Sequence, residues 1–263
     1  MLNILRKLLT RESRTASAVS GRRRINLGET LPPFSLYAIG DVHGCLDLLL
    51  DAERKIANDL QLTNGRGLVI MLGDYIDRGP DSAGVISHLL AKTPENVKRV
   101  CLCGNHESAF LGFLREPLKN LWWLDLGGRE TLRSYGIDPD TFPDRGTRPS
   151  HELKHALSEA IPAEHEYFLA SLPIALSVGR YLFVHAGVRP GVPFDAQSDE
   201  DLMWIREPFL TQGPRLPVTV VHGHTPIEAP RFESGRIGID TGAFITGRLT
   251  VLKIKESGPV LLI

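Results

Sequence analysis

The chain has 263 residues, of which 42% are hydrophobic and 23% are charged, the balance of an ordinary globular protein. Its net charge of −1 provides no global field that would recruit nucleic acid, and no apolar run approaches the roughly 18 residues of a membrane helix. The cysteines, Cys45, Cys101 and Cys103, form no C-x-x-C pair, which argues against a disulfide framework or a zinc ribbon. Reduced thiols in a cytoplasmic protein are the simplest interpretation.

The N-terminal segment differs in composition from the rest of the chain. Residues 1–24 hold seven Arg or Lys and a single acidic residue. We predict that residues 1–30 form a basic, flexible extension and that residues 31–263 form one folded domain. Arg6 and Lys7 interrupt the apolar stretch, so a secretory signal is not expected. Weak contact of this segment with anionic lipid or nucleic acid is the lesser alternative.

The first half of the chain alternates strand and helix patterns. Strands are predicted at 34–39, 68–72 and 96–102, with helices over 46–60 and 80–90 between them. Such alternation is the signature of a parallel α/β sheet. Because open α/β sheets build their sites beyond the carboxyl ends of the strands, we expect the functional site there.

The middle of the chain is predicted to be mostly helical from 108 to 172, including helices near 150–160 and 163–171. The second half then turns to β-structure. Its predicted strands lie at 174–178, 181–184, 218–221, 236–239, 249–253 and 259–262.

Polar clusters follow five of the predicted strands. They are Asp41 and His43; Asp74, Asp77 and Arg78; Asn105 and His106; His185; and His222 with His224. Each cluster alone is weak evidence for a metal site. Together, carboxylate, amide and imidazole ligands at five strand ends suit a pair of divalent ions such as Mn, Fe or Zn. Alternate residues of an extended strand point the same way, so Asp41 and His43 are expected to reach one ion. Asp74 has two oxygens with which to bridge two ions.

Five motifs in order, GDVHG, GDYIDRG, GNHE, HAG and HGHT, resemble those of the calcineurin-like metallophosphoesterases. The second and third resemble the serine/threonine-phosphatase branch, and the tail at 239–250 is similar to its compact, lambda phosphatase-like bacterial and phage members. The match spans residues 40–250, about four-fifths of the chain. It implies an α/β fold, a four-layer αββα sandwich with a small helical insert at about 117–172, in which residues 31–263 form the catalytic domain.

The resemblance also implies a set of metal ligands. It places one ion on Asp41, His43 and Asp74, and a second on Asp74, Asn105, His185 and His224. Manganese is the metal it favours, with iron or zinc as alternatives. His222 precedes the motif position and is expected to be a structural histidine near a strand end.

Three further residues acquire roles from the same resemblance. Asp77 resembles the carboxylate that orients His106, and Arg78 resembles a phosphate clamp whose guanidinium fork fits two phosphate oxygens. Arg206 lies where the family carries another phosphate-binding arginine. A surface salt bridge is the alternative for Arg206.

The function implied is a metal-dependent phosphomonoesterase, a serine/threonine protein phosphatase with phosphotyrosine as a further substrate. A hydroxide that bridges the metals would attack phosphorus, and His106 would protonate the leaving oxygen. A phosphoprotein or phosphopeptide is the expected partner, without nucleic acid or stable membrane insertion, and the chain is expected to be a monomer or a weak oligomer.

Two other functions remain open at this stage. A symmetric diadenosine tetraphosphate hydrolase shares the metal motifs, and residues 117–172 would then shape a nucleotide site. Trp122 and Trp123 could stack on a base, although adjacent tryptophans in an apolar stretch are more often core residues. A non-catalytic binding module is the third class, and the intact ligand set argues against it.

Overall fold

The computed structural model describes residues 21–141 and 150–262. The strands in these ranges are β1 (Arg24–Asn26), β2 (Ser35–Ile39), β3 (Gly67–Met71), β4 (Val97–Cys101), β5 (Ala175–Val178), β6 (Tyr181–Val184), β7 (Thr219–His222), β8 (Arg231–Glu233), β9 (Arg236–Gly238), β10 (Val251–Lys255) and β11 (Gly258–Leu261). The α-helices are α1 (Leu46–Thr63), α2 (Ser82–Leu90), α3 (Asn105–Arg115), α4 (Arg129–Ser134), α5 (Ser150–Ala160), α6 (Ala163–Ser171), α7 (Asp199–Trp204), α8 (Phe209–Gln212) and α9 (Ala243–Thr246).

One sheet has the strand order β11-β10-β2-β3-β4. Its β2, β3 and β4 strands are parallel, as predicted, and their register sets Ile39 opposite Met71 and Met71 opposite Cys101. The three strands therefore end at the same level. The polar segments that follow them are brought side by side by this register.

The other sheet has the order β1-β5-β6-β7-β9-β8. Strands β5 and β6 form the predicted antiparallel hairpin, and β6, β7 and β9 are parallel. His185 directly follows β6, and His224 lies two residues beyond β7. This sheet thus contributes two more of the predicted ligands at its strand ends.

The two sheets pack face to face through alternate residues of their strands. One apolar cluster joins inner-face side chains of both sheets, among them Leu36, Ala38, Leu68, Ile70, Leu176, Phe183, Val221 and Ile239. The outer faces pack against helices in a second cluster that includes Tyr37, Val69, Leu49 and Ile56 on one side and Leu182, Val220, Leu202 and Phe209 on the other. The layers are therefore helix, sheet, sheet and helix, and the predicted α/β sandwich is confirmed.

The segment 117–172 contains only helical elements among its described residues. Besides α4, α5 and α6 it has 3₁₀ turns at Pro117–Lys119 and Pro139–Thr141 and a π-helical turn at Leu124–Gly128. No helix in the described ranges combines the length and the apolar character needed to cross a bilayer.

The structure corrects the predicted end of the flexible extension. Arg24–Asn26 form β1, which pairs in parallel with Ala175–Ser177 of β5. Ile25 is buried between the sheets, and the Arg22 guanidinium donates to the carbonyls of Leu169 and Leu172. Three residues are too few to show the alternating pattern of a strand. The basic composition around β1 instead favoured the prediction of a flexible segment. Residues 1–20 of the predicted extension lie outside the described residues.

Candidate active site

The segments that carry the predicted site residues follow strained backbone paths. Seven non-glycine residues of the described chain have positive φ, and five of them are predicted site residues. They are His43 (φ 44°), Asp74 (51°), Asp77 (71°), Arg78 (69°) and His224 (64°). Such conformations cost roughly 1–3 kcal/mol each and are typical of functional sites. Asp41 and His43 were expected to point the same way as alternate residues of an extended strand. That expectation is wrong, because the backbone of His43 is left-handed and not extended.

Four predicted ligands converge beyond β3, β4, β6 and β7. The Asn105 Oδ1 atom lies 2.8 Å from His185 Nε2 and 2.9 Å from His224 Nδ1. Asp74 Oδ2 is 3.3 Å from His185 Nε2. The other ring nitrogen of His185 donates to the Leu72 carbonyl at 3.0 Å, so Nε2 is the nitrogen that faces the group.

A second group shares Asp74 with the first. His43 Nε2 and His106 Nε2 each lie 3.7 Å from Asp74 Oδ2. The Nδ1 of His43 bonds the Ile76 carbonyl at 2.8 Å, so its Nε2 also presents a lone pair. Within each group, Asp74 with His43 and His106 or Asp74 with His185 and His224, the ligand atoms lie within 4.8 Å of one another. Asp74 is therefore common to both groups.

Asp41 reaches the same site from the end of β2. Its Oδ2 accepts the backbone N–H of His224 at 2.9 Å, whereas its buried Oδ1 has no hydrogen-bond partner among the described residues. Burial and the neighbouring Asp240 carboxylate raise the pKa of Asp41 well above its ordinary value. A buried carboxylate oxygen without a donor is costly, and a cation would satisfy it. The carboxylate, amide and imidazole donors thus fit divalent ions.

The electrostatics of the site separate its histidines. Burial lowers the pKa of His43 and of His224 to about 3, so both rings are neutral, as metal ligation requires. Although burial opposes it, the Asp74 carboxylate raises the pKa of His185 to about 9. Burial likewise opposes ionisation of Asp74, yet His185 and His106 hold the pKa of Asp74 well below its ordinary value.

His106 and Asp77 form a buried pair, as the sequence predicted. The His106 Nδ1 atom lies 2.7 Å from Asp77 Oδ2. Burial disfavours the imidazolium, but Asp74 and the bond to Asp77 outweigh it and raise the pKa of His106. The arrangement can keep a proton on His106 beside the metal-ligand groups, which is what a general acid needs.

The two predicted phosphate arginines are placed differently. Arg78 is half-buried, with Nη1 3.3 Å from His43 Nε2 and its guanidinium 5.2 Å from the Phe244 ring centroid. Arg206 is exposed and follows α7. It has no carboxylate partner among the residues that the structure describes, so the salt-bridge alternative gains no support. Burial and His185 are the main causes of the lowered pKa of His224, and the charge of Arg206 adds to them. Arg206 therefore lies close enough to the site to act on His224.

One buried carboxylate of the site was missed by sequence reasoning, although it stands in the GNHE motif. Glu107 accepts the backbone N–H groups of Asp74 at 2.9 Å, Tyr75 at 2.7 Å and Gly104 at 2.9 Å. It thereby joins the loop after β3 to the loop after β4. The motif marks the residue, but this use of its side chain depends on the packing of the two loops.

The remaining residues singled out from the sequence lie around the site. The Nε2 atom of His222 is 3.3 Å from the Arg236 guanidinium, and its ring packs on Phe209, the surroundings expected of a structural histidine. Trp123 is fully buried, which removes it as a base-stacking surface. Trp122 is 48% exposed, and its ring centroid lies 6.4 Å from that of Trp204, which in turn is 6.2 Å from His224.

Comparisons with known proteins agree with this geometry. The sequence model described as calcineurin-like phosphoesterase matches residues 34–249. Serine/threonine-protein phosphatase 2 of Salmonella typhimurium is 28% identical over 229 residues, 84% of this chain and 93% of that protein. The asymmetrical bis(5'-nucleosyl)-tetraphosphatase of Anoxybacillus flavithermus is 26% identical over 238 residues, 83% of this chain and 89% of that protein.

Solved structures share the fold at low sequence identity. A crystal structure provisionally named as a diadenosine tetraphosphatase superposes with a TM-score of 0.61 at 20% identity, covering 91% of this chain and 97% of that one. A mutant of a cold-active protein tyrosine phosphatase gives a TM-score of 0.60 at 18% identity, covering 98% and 87%. At these identities the likeness concerns the fold alone. From the family match over most of its length, the chain belongs to the calcineurin-like phosphoesterase family and is a hydrolase.

Proposed function

We propose that the protein is a metal-dependent phosphomonoesterase that acts as a serine/threonine protein phosphatase, with phosphotyrosine as a further substrate. The observation that carries the proposal is His106, which Asp77 holds through Nδ1 at 2.7 Å, while its Nε2 lies 3.7 Å from Asp74, the residue common to both ligand groups. A proton donor at this place serves substrates whose leaving oxygen is a poor one, as in phosphoserine. The cysteines are all buried and free, which is in keeping with a reducing cytoplasm.

The two ligand groups around Asp74 and the unpartnered Oδ1 of Asp41 support the proposed ligand set. One ion would be held by Asp41, His43 and Asp74, and the other by Asp74, Asn105, His185 and His224. A bound pair of divalent ions, for which manganese is our proposal, would lower the pKa of the attacking water and supply positive charge to the phosphate.

The two arginines bind and orient the phosphate. Arg78 is held over Phe244 and beside His43, so its guanidinium is aimed before the substrate arrives. Arg206 has no carboxylate partner among the described residues, which leaves its N–H groups available for phosphate oxygens. Two guanidinium forks fix the orientation of a phosphate better than ammonium groups would.

His106 gives its proton to the leaving oxygen. Its Nδ1–H is committed to Asp77, so Nε2 is the nitrogen that faces Asp74 and the ligand groups. Asp77 fixes the tautomer and stabilises the imidazolium until the P–O bond breaks. General acid catalysis of this kind contributes roughly 10²–10⁴-fold, most for alkoxide leaving groups.

A dinucleoside tetraphosphate is the second candidate substrate. Two observations favour it: the exposed Trp122 ring beside Trp204, and the nucleosyl-tetraphosphatase named among the relatives. That relative is named asymmetrical, whereas the metal motifs of the sequence suggested the symmetric reaction as the alternative. The products separate the two, because symmetric cleavage of diadenosine tetraphosphate gives two ADP and asymmetric cleavage gives ATP and AMP.

The test compares the manganese-loaded protein on a phosphothreonine peptide and on diadenosine tetraphosphate, with phosphate release and nucleotide products measured side by side. We expect turnover of the peptide to dominate. Dominant dinucleotide cleavage would replace the proposal with the second candidate. Turnover of neither, with p-nitrophenyl phosphate also inert and both ions bound, would favour a non-catalytic module.

A further inference from the structure

The Asp77 carboxylate receives three side-chain donors in a site closed to water. His106 Nδ1 and Trp123 Nε1 both bond Oδ2, at 2.7 and 2.8 Å, and the Thr131 hydroxyl donates to Oδ1 at 2.6 Å. Asp77 and Thr131 have no exposed surface. Removal of a donor would therefore leave a buried carboxylate oxygen with fewer hydrogen bonds.

The three donors have different origins in the chain. His106 stands at the start of α3, beyond the end of β4, whereas Trp123 and Thr131 belong to the helical segment 117–172. They lie 46 and 54 residues from Asp77 in sequence. The helical segment thus contacts, through these two side chains, the carboxylate that holds the proposed acid.

The position of the indole is fixed by packing. Its ring centroid lies 4.8 Å from that of Phe110 and 4.7 Å from that of Phe113, and both phenylalanines are on α3. The Thr131 hydroxyl is fixed as well, because its oxygen also accepts the Asp77 backbone N–H at 2.9 Å. Both donors therefore meet the carboxylate as rigid groups, and together they define the plane in which Oδ2 faces His106.

We infer that Trp123 and Thr131 are positioning residues for the general acid. They hold the Asp77 carboxylate in the rotation that keeps Oδ2 on the His106 Nδ1–H and Nε2 toward the substrate. The inference rests on the proposed function, in which His106 protonates the leaving oxygen. Among the described residues, the side chains of Trp123 and Thr131 form hydrogen bonds with Asp77 and Ser82 and with none of the proposed metal ligands, so we expect their effect on the proton-transfer step.

The test uses Trp123→Phe, which removes the indole N–H, and Thr131→Val, which removes the hydroxyl with little change in shape. Tyr135→Phe is the matched control. It removes a partly buried hydroxyl from the same helical segment, and that hydroxyl bonds His165 instead of Asp77. Each variant is loaded with zinc, one of the alternative ions, because diamagnetic zinc also permits the resonance measurement below, and is assayed on a phosphoserine peptide and on p-nitrophenyl phosphate. We expect the peptide kcat/KM to fall about tenfold, a part of the general-acid contribution, while the aryl ester is nearly unaffected.

A second readout does not depend on turnover. The His106 Nδ1–H resonance, identified in the ¹⁵N-histidine-labelled protein by its loss in His106→Asn, is expected to shift and broaden in both variants and to stay in place in Tyr135→Phe. If the wild type turns over the peptide, the proposed function stands. In that case, unchanged resonances in the two variants, or equal losses of kcat/KM on both esters, would overturn the inference. A wild type inactive on phosphomonoesters would refute the proposed function instead, and the resonances alone would then decide whether the two residues hold His106.

Discussion

Replacement of Gly223 by alanine is expected to disturb the proposed metal site through Asp41. A Cβ atom at position 223 would lie 1.9 Å from Asp41 Oδ1, closer by roughly 1.5 Å than an ordinary contact of about 3.4 Å. Either the carboxylate or the backbone that carries His224 must move to make room. The backbone cannot move freely, because the Gly223 N–H donates to the His185 carbonyl at 2.8 Å.

The size of the effect follows from that displacement. A misplacement of about 1 Å in a catalytic arrangement costs on the order of 10²-fold in rate. Disturbing the surroundings of metal ligands typically costs roughly 10–100-fold in metal affinity. We therefore expect Gly223→Ala to lose metal on dialysis and to lose about 10²-fold in kcat/KM on p-nitrophenyl phosphate, even at saturating manganese.

The assay is metal analysis of the dialysed protein together with kcat/KM at several manganese concentrations. Gly112→Ala is the matched control, because the nearest atom to its new Cβ is Asn120 Oδ1 at 3.7 Å and its place in α3 favours alanine. The control should keep both ions and full activity. If Gly223→Ala bound two ions like the wild type and kept kcat/KM within about twofold, the placement of Asp41 Oδ1 at the metal site would be refuted.

Three further outcomes are expected. His106→Ala should lower kcat/KM on a phosphoserine peptide by roughly 10²–10⁴-fold and far less on p-nitrophenyl phosphate, and equal losses would speak against His106 as the acid. Arg206→Ala should raise the peptide KM by about tenfold with metal content unchanged. Arg206→Lys should restore only part of the lost affinity for the peptide. An unaltered KM in Arg206→Ala would show that Arg206 does not bind the phosphate. Burial lowers the pKa of His165, so the unfolded chain, with a histidine pKa of about 6.5, binds the proton first as the pH falls. Stability is thus complete above that pH and declines below it, and His165→Gln should flatten the pH dependence of the urea midpoint; parallel profiles for both proteins would contradict this.

Local pattern was enough for the elements that alternate along the first half of the chain. The apolar run at 68–72, closed by Gly73, predicted a strand that the structure has at Gly67–Met71. The helix predicted over 46–60 is present and extends to Thr63. The two strands that were not predicted, Arg24–Asn26 and Arg231–Glu233, have three residues each. Their pairing partners stabilise them, and so short a segment has no period of its own.

The sequence by itself determined the family, the layered α/β fold and the kinds of ligand that converge at the strand ends, because motif order and hydrophobic period are properties of neighbouring residues. Only the tertiary structure decided how these residues are held. The left-handed backbone at Asp74 and Asp77, the three amides gathered by Glu107, and the donors from Trp123 and Thr131 all depend on it. These contacts join residues far apart in the chain, and they exist because the strand register sets the ends of β2, β3 and β4 level with one another.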